Sequence, residues 1–349
     1  MTTTPAVEQD VQPGAGATGN SLRTLAARLL LRRQAGLIAA IAVTMVVFTV
    51  ANGFFLSTGN LLLLLRSMST FAIIAFGETL VLVSGEIDLS VGGSYGLGAM
   101  VMGLTWMHGF PFPLALAIGL GSGLVVGVFN AFITTIVRVP SFITTLGSLS
   151  LIQGVTFLVS NSQSINPDTS LPGYNVFSAM GASTLPFGIP VQIAWLVGMA
   201  IVMGVLLHRT LFGFRIAAIG GNPAAAQVVK LPVRRYKFWV FAIAGGLAAL
   251  AGILDFSFIG STTPTAGSSL TFPVFAAVII GGASLNGGRG TILGTVIGAF
   301  FLSLLSNGLS LLGVGTFAQL IFVGLVTIGA VALDRWTSTR ASERSSIQM

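Results

Sequence analysis

The chain has 349 residues, of which 54% are hydrophobic and only 7% are charged, and its mean hydropathy is +0.94. No soluble domain needs that much apolar surface, so the composition excludes a water-soluble fold and indicates a polytopic membrane protein. The net charge is +7, but the basic residues are grouped between apolar runs, which is typical of cytosolic loops of membrane proteins. The chain has no cysteine and only two histidines, in different predicted loops, so we expect neither disulfides nor a metal centre.

The N-terminal residues are small and polar, and the first basic residue is Arg23. This pattern does not match a cleaved signal peptide, so we predict a disordered cytosolic tail over residues 1–33. We place the transmembrane domain at residues 34–335 and a cytosolic C-terminal tail at residues 336–349.

Ten apolar runs lie between polar breaks, and each span needs about 20 apolar residues. We therefore predict an all-α polytopic membrane protein with about ten transmembrane helices. The eighth run is short, so it is either broken or shares its glycine-rich flanks. The runs are 36–56, 61–84, 92–107, 114–137, 142–160, 191–207, 238–258, 272–282, 291–312 and 316–333.

Basic residues predict the topology. With both termini in the cytosol, fifteen of the sixteen Lys and Arg residues fall on the cytosolic side, as the positive-inside rule requires. The exception is Arg66, which we expect to snorkel at the outer end of the second span. Residues 161–190, which include Asp168, then form the main extracytoplasmic loop.

Residues 84–93 form a turn, SGEIDLSVGG, which places two carboxylates between apolar runs. An ionised residue at the centre of a membrane helix costs roughly 2.5–3.5 kcal/mol on insertion scales, so Glu86 and Asp88 indicate a functional element. The alternative is a solvated loop at the membrane surface, in which glycine only turns the chain.

Residues 209–237 form the largest cytosolic loop, and its middle predicts a short helix. Asn222 is a favourable cap, Pro223 suits the first turn, and three alanines follow. A short helix among basic residues suits docking of a partner, although a basic loop that only sets orientation explains the charges equally well.

A second glycine-rich turn, GGASLNGGRG, occupies residues 281–290. Displaced by 196 positions, it matches the first turn at Gly85/Gly281, Leu89/Leu285 and Gly92/Gly288, and two further pairs follow. Corresponding breaks in two halves point to a translocation site in transporters, so we predict a possible internal repeat. Close helix packing by small residues is the alternative.

The chain lacks a phosphate-binding GxxxxGK[ST] loop and the HExxH, GxSxG and DxDxDG patterns. It therefore carries no catalytic residues or cofactor site that we recognise. The embedded acids are Glu78, Glu86, Asp88 and Asp255. A proton-driven carrier would pair such acids with basic residues in the bundle, and the predicted spans contain almost none.

Four segments resemble the permease subunits of bacterial monosaccharide ABC importers (the ribose, xylose, arabinose and galactose group), which are related to the branched-chain amino acid permeases. They occur in the family's order, and the resemblance runs from about Thr44 to Leu333. The segments are GEIDLSVGG at 85–93, VPSFITTLG at 139–147, FGFRIAAIGGNPAAAQVVKLPV at 212–233 and AAVIIGGASLNGGRGTILG at 276–294. The family often has glycine where this chain has Glu86, and an acidic triplet where it has residues 271–273.

The resemblance implies a helical permease that hydrolyses nothing itself. It further implies three partners: a cytosolic subunit with tandem ATP-binding domains, a periplasmic sugar-binding protein, and a second permease copy. The implied coupling helix to the ATPase comprises Gly221, Asn222, Pro223, Ala224, Ala225, Ala226 and Gln227. The implied border of the translocation path comprises Glu86, Asp88, Ser90, Gly92, Ser284 and Asn286.

The resulting hypothesis is an importer permease for a monosaccharide or related polyol in the bacterial inner membrane. Small polar residues near the span ends, such as Ser84, Ser94 and Asn307, suit a wet path for a neutral solute, although each also serves helix packing. An ion-driven secondary carrier is the alternative. A membrane enzyme acting on lipid would need a constellation of polar residues that the sequence does not contain.

Overall fold

A computed structural model describes residues 36–329 and Ala332, so the predicted tails lie outside the described residues. Within the described part the chain is all helical, and two isolated bridges are its only strand-like pairings, as predicted. The helices are α1 (Gly36–Ala51), α2 (Thr58–Val83), α3 (Val91–Met107), α4 (Phe112–Phe132, extended by a π-helical turn Ile133–Val137), α5 (Ser141–Val159), α6 (Tyr174–Gly181), α7 (Val191–Arg209), α8 (Leu211–Gly221), α9 (Pro223–Val228), α10 (Val233–Ile259), α11 (Thr271–Ile280), α12 (Ile292–Leu311) and α13 (Thr316–Gly329).

A helix lies in each of the ten apolar runs. Six of these helices (α2, α4 with its extension, α5, α7, α10 and α12) are long and apolar enough to cross a membrane, whereas α1, α11 and α13 are shorter. The chain is therefore a polytopic helical membrane protein, while ten as the number of crossings and the cytosolic termini stay predictions.

Helices α2 and α10 form the centre of the bundle. In their most apolar windows 56% and 67% of the residues are buried, compared with 22% in α7. Gly119, Gly123 and Gly127 recur every four residues on α4: Gly123 and Gly127 bring its backbone against α10, and Gly119 brings it against α3. Such small-residue stripes allow helices to pack closely where lipid offers no hydrophobic drive.

The two ends of the bundle differ. Following the predicted topology, we call the end with α8, α9 and the two glycine-rich turns the inner end, and the opposite end the outer end. The loop of residues 160–190 lies at the outer end, and aromatic residues pack it against the bundle. Phe177 of α6 packs edge to face on Phe256, and the indole N–H of Trp106 donates to the carbonyl of Pro172 at 2.9 Å. In this loop the backbone N–H and hydroxyl of Ser170 lower the pKa of the exposed Asp168 carboxyl.

The eighth predicted span is broken. After α10 ends, Thr262 forms an isolated β-bridge with Ile165. The following residues run along α3 without forming a helix, and helix begins again at Thr271, whose hydroxyl donates to the carbonyl of Leu89 at 3.3 Å. We call this non-helical segment together with α11 the broken span. Helix α11 has only 10 residues, about 15 Å, against a hydrocarbon core of about 30 Å. A Cβ at Gly96 would collide with the carbonyl of Ala266, so glycine on α3 permits this close approach. Non-helical backbone at such depth persists only when it is buried in protein or lines a cavity.

The two glycine-rich turns meet at the inner end. The N–H of Gly288 donates to the carbonyl of Val83 at 2.9 Å. Gly220 of α8 lies between the turns, and a Cβ there would approach both the nitrogen of Gly288 and the carbonyl carbon of Ser84 to 2.8 Å. The turns that the sequence singled out are therefore one structural unit, with α8 packed into it.

Candidate functional site: a hydroxyl-lined cavity beside a broken span

A cavity of about 410 Å³ lies between the middle of the bundle and its outer end. This volume is within the ~300–1,000 Å³ typical of small-molecule sites. Its walls come from α2, α10, α12, α13 and the residues that precede α11, so the broken span borders it directly. Most of the polar side chains on its walls carry a hydroxyl or an amide: Ser67, Thr70, Ser269, Ser303, Ser306, Asn307, Ser310, Thr316 and Gln319.

Asp255 of α10 is the one carboxylate on the walls of this cavity. The hydroxyl of Tyr95 on α3 donates to its Oδ2 atom. The nearest basic residue along α2, Arg66, lies over the ring of Phe258 at 4.7 Å and is not part of the cavity wall. The cavity is thus lined by neutral donors and acceptors together with one acid.

Amide side chains fix the wall formed by α2, α12 and α13. Asn60 and Asn307 bind each other reciprocally, with nitrogen–oxygen distances of 3.0 and 2.8 Å. Gln319 accepts from Ser306 and donates to Ser310 and to the carbonyl of Val314. These bonds hold the polar face of α12 in place, as a preorganised site requires.

A second cavity of about 850 Å³ continues towards the inner end. It shares Ser269, Pro273, Leu320 and Val323 with the first cavity, so the two are contiguous. Its lining is mainly apolar and includes Ile87 and Leu89 of the first glycine-rich turn and Leu285 of the second. Together the cavities follow the broken span from a polar compartment to the junction of the turns.

The acidic turn folds back into the bundle and forms a buried network. Asp88 accepts from the N–H and the hydroxyl of Ser90, at 2.8 and 2.6 Å. Asn130 donates to the Ser90 hydroxyl at 2.7 Å and accepts from Ser148. The N–H of Asp88 faces Glu78 at 3.4 Å, and these carboxylates are only 2% and 1% exposed. The half of the turn from Asp88 onwards is therefore part of the core, whereas Gly85 is exposed and Glu86 is partly exposed.

The six residues predicted to border a path lie in several surroundings. Glu86 pairs with Lys237 at the start of α10, and Gly92 packs against Gly267. Asp88 and Ser90 belong to the buried network, while Ser284 and Asn286 bind each other within the second turn at 3.2 Å. None of the six lines the hydroxyl-lined cavity, but their chain neighbours line the apolar one.

Sequence reasoning named Asn307 as suited to a wet path, but it did not assign Tyr95, Asp255 or the serines of α12 to a site. A signal was present, because Ser303, Ser306 and Ser310 are spaced by three and four residues and so share one helix face. Asp255 was recognisable as an embedded acid, but its partner lies 160 positions away. In the described part of the chain no group of three or more His, Cys, Asp or Glu residues could hold a metal ion.

The short helix predicted at the inner end is α9. Asn222 caps it by accepting from the N–H of Ala225 at 2.9 Å, as expected. Ala226 is buried, whereas Val228 is 81% exposed and Val229 is also exposed. An apolar, solvent-facing end on a six-residue helix is unusual for a loop that only connects two spans.

Comparison with known proteins identifies relatives over most of the chain. A family model described as "Branched-chain amino acid transport system / permease component" matches residues 60–331. The ribose import permease protein of Bacillus subtilis is 38% identical over 84% of this chain and 90% of its own length. That of Escherichia coli K12 is 37% identical over 87% and 94%. The xylose transport system permease protein of E. coli K12 is 33% identical over 87% and 92%.

These matches agree with the resemblance found in the four sequence segments, and they cover the helices that form the cavities. Together with the apolar helices of the bundle, they identify a multi-pass protein of the bacterial inner membrane. The chain belongs to the branched-chain amino acid transport system / permease component family.

Proposed function

We propose that this chain is the membrane permease of an ATP-powered importer for a monosaccharide or a related neutral polyol. The observation that carries the proposal is the hydroxyl-lined cavity beside the broken span. A neutral, hydroxylated solute must exchange its hydration for hydrogen bonds inside the membrane, and this wall offers hydroxyls and amides for that exchange. The relatives named for ribose and xylose import support the same class of solute.

The proposed path runs through both cavities. A solute enters the polar cavity and continues into the apolar cavity, whose inner end forms the constriction. The two turns close this constriction with Ile87, Leu89 and Leu285. In this scheme Glu86, Asp88, Ser90, Gly92, Ser284 and Asn286 border the path as a supporting layer behind those three side chains.

Helix α9 and the two residues before it, Gly221 and Asn222, are the proposed coupling element. The exposed faces of Ala225, Val228 and Val229 supply an apolar docking surface for a cytosolic ATP-binding subunit, while the buried Ala226 anchors α9 to the bundle. Because α8 packs between the two glycine-rich turns, a push on α9 is transmitted to the inner constriction.

The remaining partners follow from the same proposal. A periplasmic binding protein delivers the solute at the outer end, and a second permease copy, identical or related, completes the membrane unit. The permease hydrolyses no ATP, since that reaction occurs in the separate subunit.

Uptake measurements test the proposal. The tagged chain is expressed in its native host, and uptake of radiolabelled D-ribose and D-xylose is measured with and without the partner ATPase gene. The tagged chain is also purified, and the proteins that co-purify with it are identified by mass spectrometry. Loss of uptake on deletion and recovery of a tandem ATP-binding subunit support the importer. Transport by the chain alone in ATP-free liposomes under an ion gradient would instead establish a secondary carrier.

A further inference from the structure

Asp255 differs from the other acids of the described chain in its surroundings. Glu86 is paired with Lys237, Asp88 is bonded by Ser90, and Asp168 lies in the outer loop. Glu78 is enclosed in the core beside Asp88 and also has an oxygen without a described partner, but it lines neither cavity. Asp255 is mostly buried and faces a cavity lined otherwise by neutral groups. Its position calls for an explanation beyond packing, because a carboxylate in this setting is costly without partners.

One oxygen of this carboxylate is free to act on a ligand. Tyr95 donates to Oδ2, and among the described residues nothing donates to Oδ1. A carboxylate offers about four acceptor positions, so a single donor leaves most of its capacity unused. Hydrogen bonds from hydroxyls to a charged oxygen are roughly twice as strong as those between neutral groups.

The cavity also has no counter-charge. No Lys or Arg is on its wall, and Arg66 is held over Phe258. Within the described chain Asp255 forms no ion pair, the one salt bridge between described residues being that of Glu86 and Lys237. An ionised Asp255 therefore makes the cavity attractive to hydroxyl donors and cations and repulsive to anions.

We propose that Asp255, positioned by Tyr95, selects the solute in this cavity. Its free oxygen accepts hydrogen bonds from hydroxyls of a neutral polyhydroxylated solute, and its charge excludes anionic analogues such as sugar acids and sugar phosphates. This inference rests on the proposed function, since it assigns the substrate class of the same path. Tyr95 is a positioning residue, because it fixes the orientation of the carboxylate.

The absence of native cysteine permits a test that needs neither ATP nor a partner protein. Ser303→Cys places a single thiol on the cavity wall, and Phe187→Cys places one on the outer loop, where the side chain is fully solvent-exposed. In nanodiscs, the rates of modification are measured with a cationic and an anionic methanethiosulfonate of similar size. The ratio of the two rates reports the electrostatic potential at each thiol.

We expect the cation-to-anion ratio at Ser303→Cys to exceed that at Phe187→Cys by at least ~10-fold. Adding Asp255→Asn should collapse this excess, whereas Asp168→Asn, which changes an acid outside the cavity, should leave it intact. Tyr95→Phe should retain the excess.

A second assay measures how added solute protects the thiol of Ser303→Cys from modification. We expect D-ribose and D-xylose to slow the modification and D-glucuronate not to slow it. Asp255→Asn should abolish the protection by the neutral sugars, and Tyr95→Phe should weaken it.

Two results would overturn the inference: a rate ratio at Ser303→Cys that Asp255→Asn does not change, or protection by neutral sugars that persists in Asp255→Asn. If the proposed function is wrong, a different experiment shows it: uptake does not depend on the partner ATPase. The thiol measurements do not involve an energy source, so the two failures are separable.

Discussion

The N–H of Gly288 donates to the carbonyl of Val83 at 2.9 Å and thereby joins two glycine-rich turns that are about 200 positions apart in the chain. Gly220 of α8 fills the space beside this bond, where a Cβ would meet backbone atoms of both turns. The inner end is consequently a three-way junction in which the position of α8 and the contact between the turns depend on each other.

The first prediction concerns this junction. Gly220→Ala should destabilise the protein by about 1–3 kcal/mol, because the added methyl group overpacks a site made of backbone. Gly221→Ala is the matched control: its Cβ would lie 3.6 Å from the nearest atom, Cα of Gly288. Thermal unfolding in detergent measures both. Equal unfolding temperatures in the two variants would contradict the close packing at Gly220.

The second prediction concerns the ion pair of Glu86 and Lys237, whose side chains are 12% and 18% exposed. Glu86→Gln and Lys237→Met should each lower the free energy of unfolding by about 1 kcal/mol, and the double variant should lower it by no more than either single variant does. Denaturation in low and high salt, analysed as a double-mutant cycle, measures the coupling. Additive effects would mean that the two side chains contribute independently.

The third prediction concerns the coupling role of α9. Ala225→Glu and Val228→Glu should reduce ATP-driven uptake at least about tenfold, the equivalent of losing a contact worth ~1.4 kcal/mol, and leave the unfolding temperature unchanged. Ala226→Glu should instead lower the unfolding temperature, because Ala226 is 3% exposed. Full uptake by a well-expressed Val228→Glu variant would show that α9 is not part of the docking surface.

The fourth prediction concerns the buried network around Asp88. Asn130→Ala should destabilise the fold by about 1–3 kcal/mol, since it leaves Ser148 without its acceptor and removes the N–H that donates to Ser90. Asp88→Asn retains an acceptor oxygen for Ser90, so it should fold but transport less, whereas Asp88→Leu should be strongly destabilised. Unfolding temperatures and uptake are measured for all three. An Asp88→Leu variant as stable as the parent would show that the network contributes no stability.

The fifth prediction concerns the broken span. Gly96→Ala should lower uptake because its Cβ collides with the carbonyl of Ala266 and displaces the non-helical segment from α3. Gly121→Ala, at a position on α4 with nothing within 4 Å of the added atom, should preserve uptake. Comparable uptake in the two variants would show that the segment tolerates displacement.

Much of the fold was predictable because its signals are local. Apolar runs marked the helices, and Asn222 followed by Pro223 marked α9 and its cap. The glycine-rich turns were also recognisable, although their direct contact was not. The short eighth run indicated an irregular span, and the structure shows a helix of only 10 residues there, preceded by non-helical backbone.

The site was less predictable because its residues meet only in the folded bundle. Tyr95 and Asp255 are 160 positions apart, and no periodicity links them. The acid turn drew attention through its charges, yet Asp88 is enclosed by Ser90 and the network beyond it. Composition identifies unusual residues, but only tertiary packing decides which of them face a cavity.

The broken span also constrains how the protein is made. Residues 263–270 form turns and no helix, so some of their peptide groups lack the internal partners that a lipid environment requires, and in the structure this segment packs against glycines of α3. We infer that this segment cannot partition into the bilayer by itself as it leaves the translocon. It enters the membrane only by packing against α2 and α3 after these helices have assembled. Truncations that remove α3 should then leave α11 outside the membrane, so the path is created only at a late step of biogenesis.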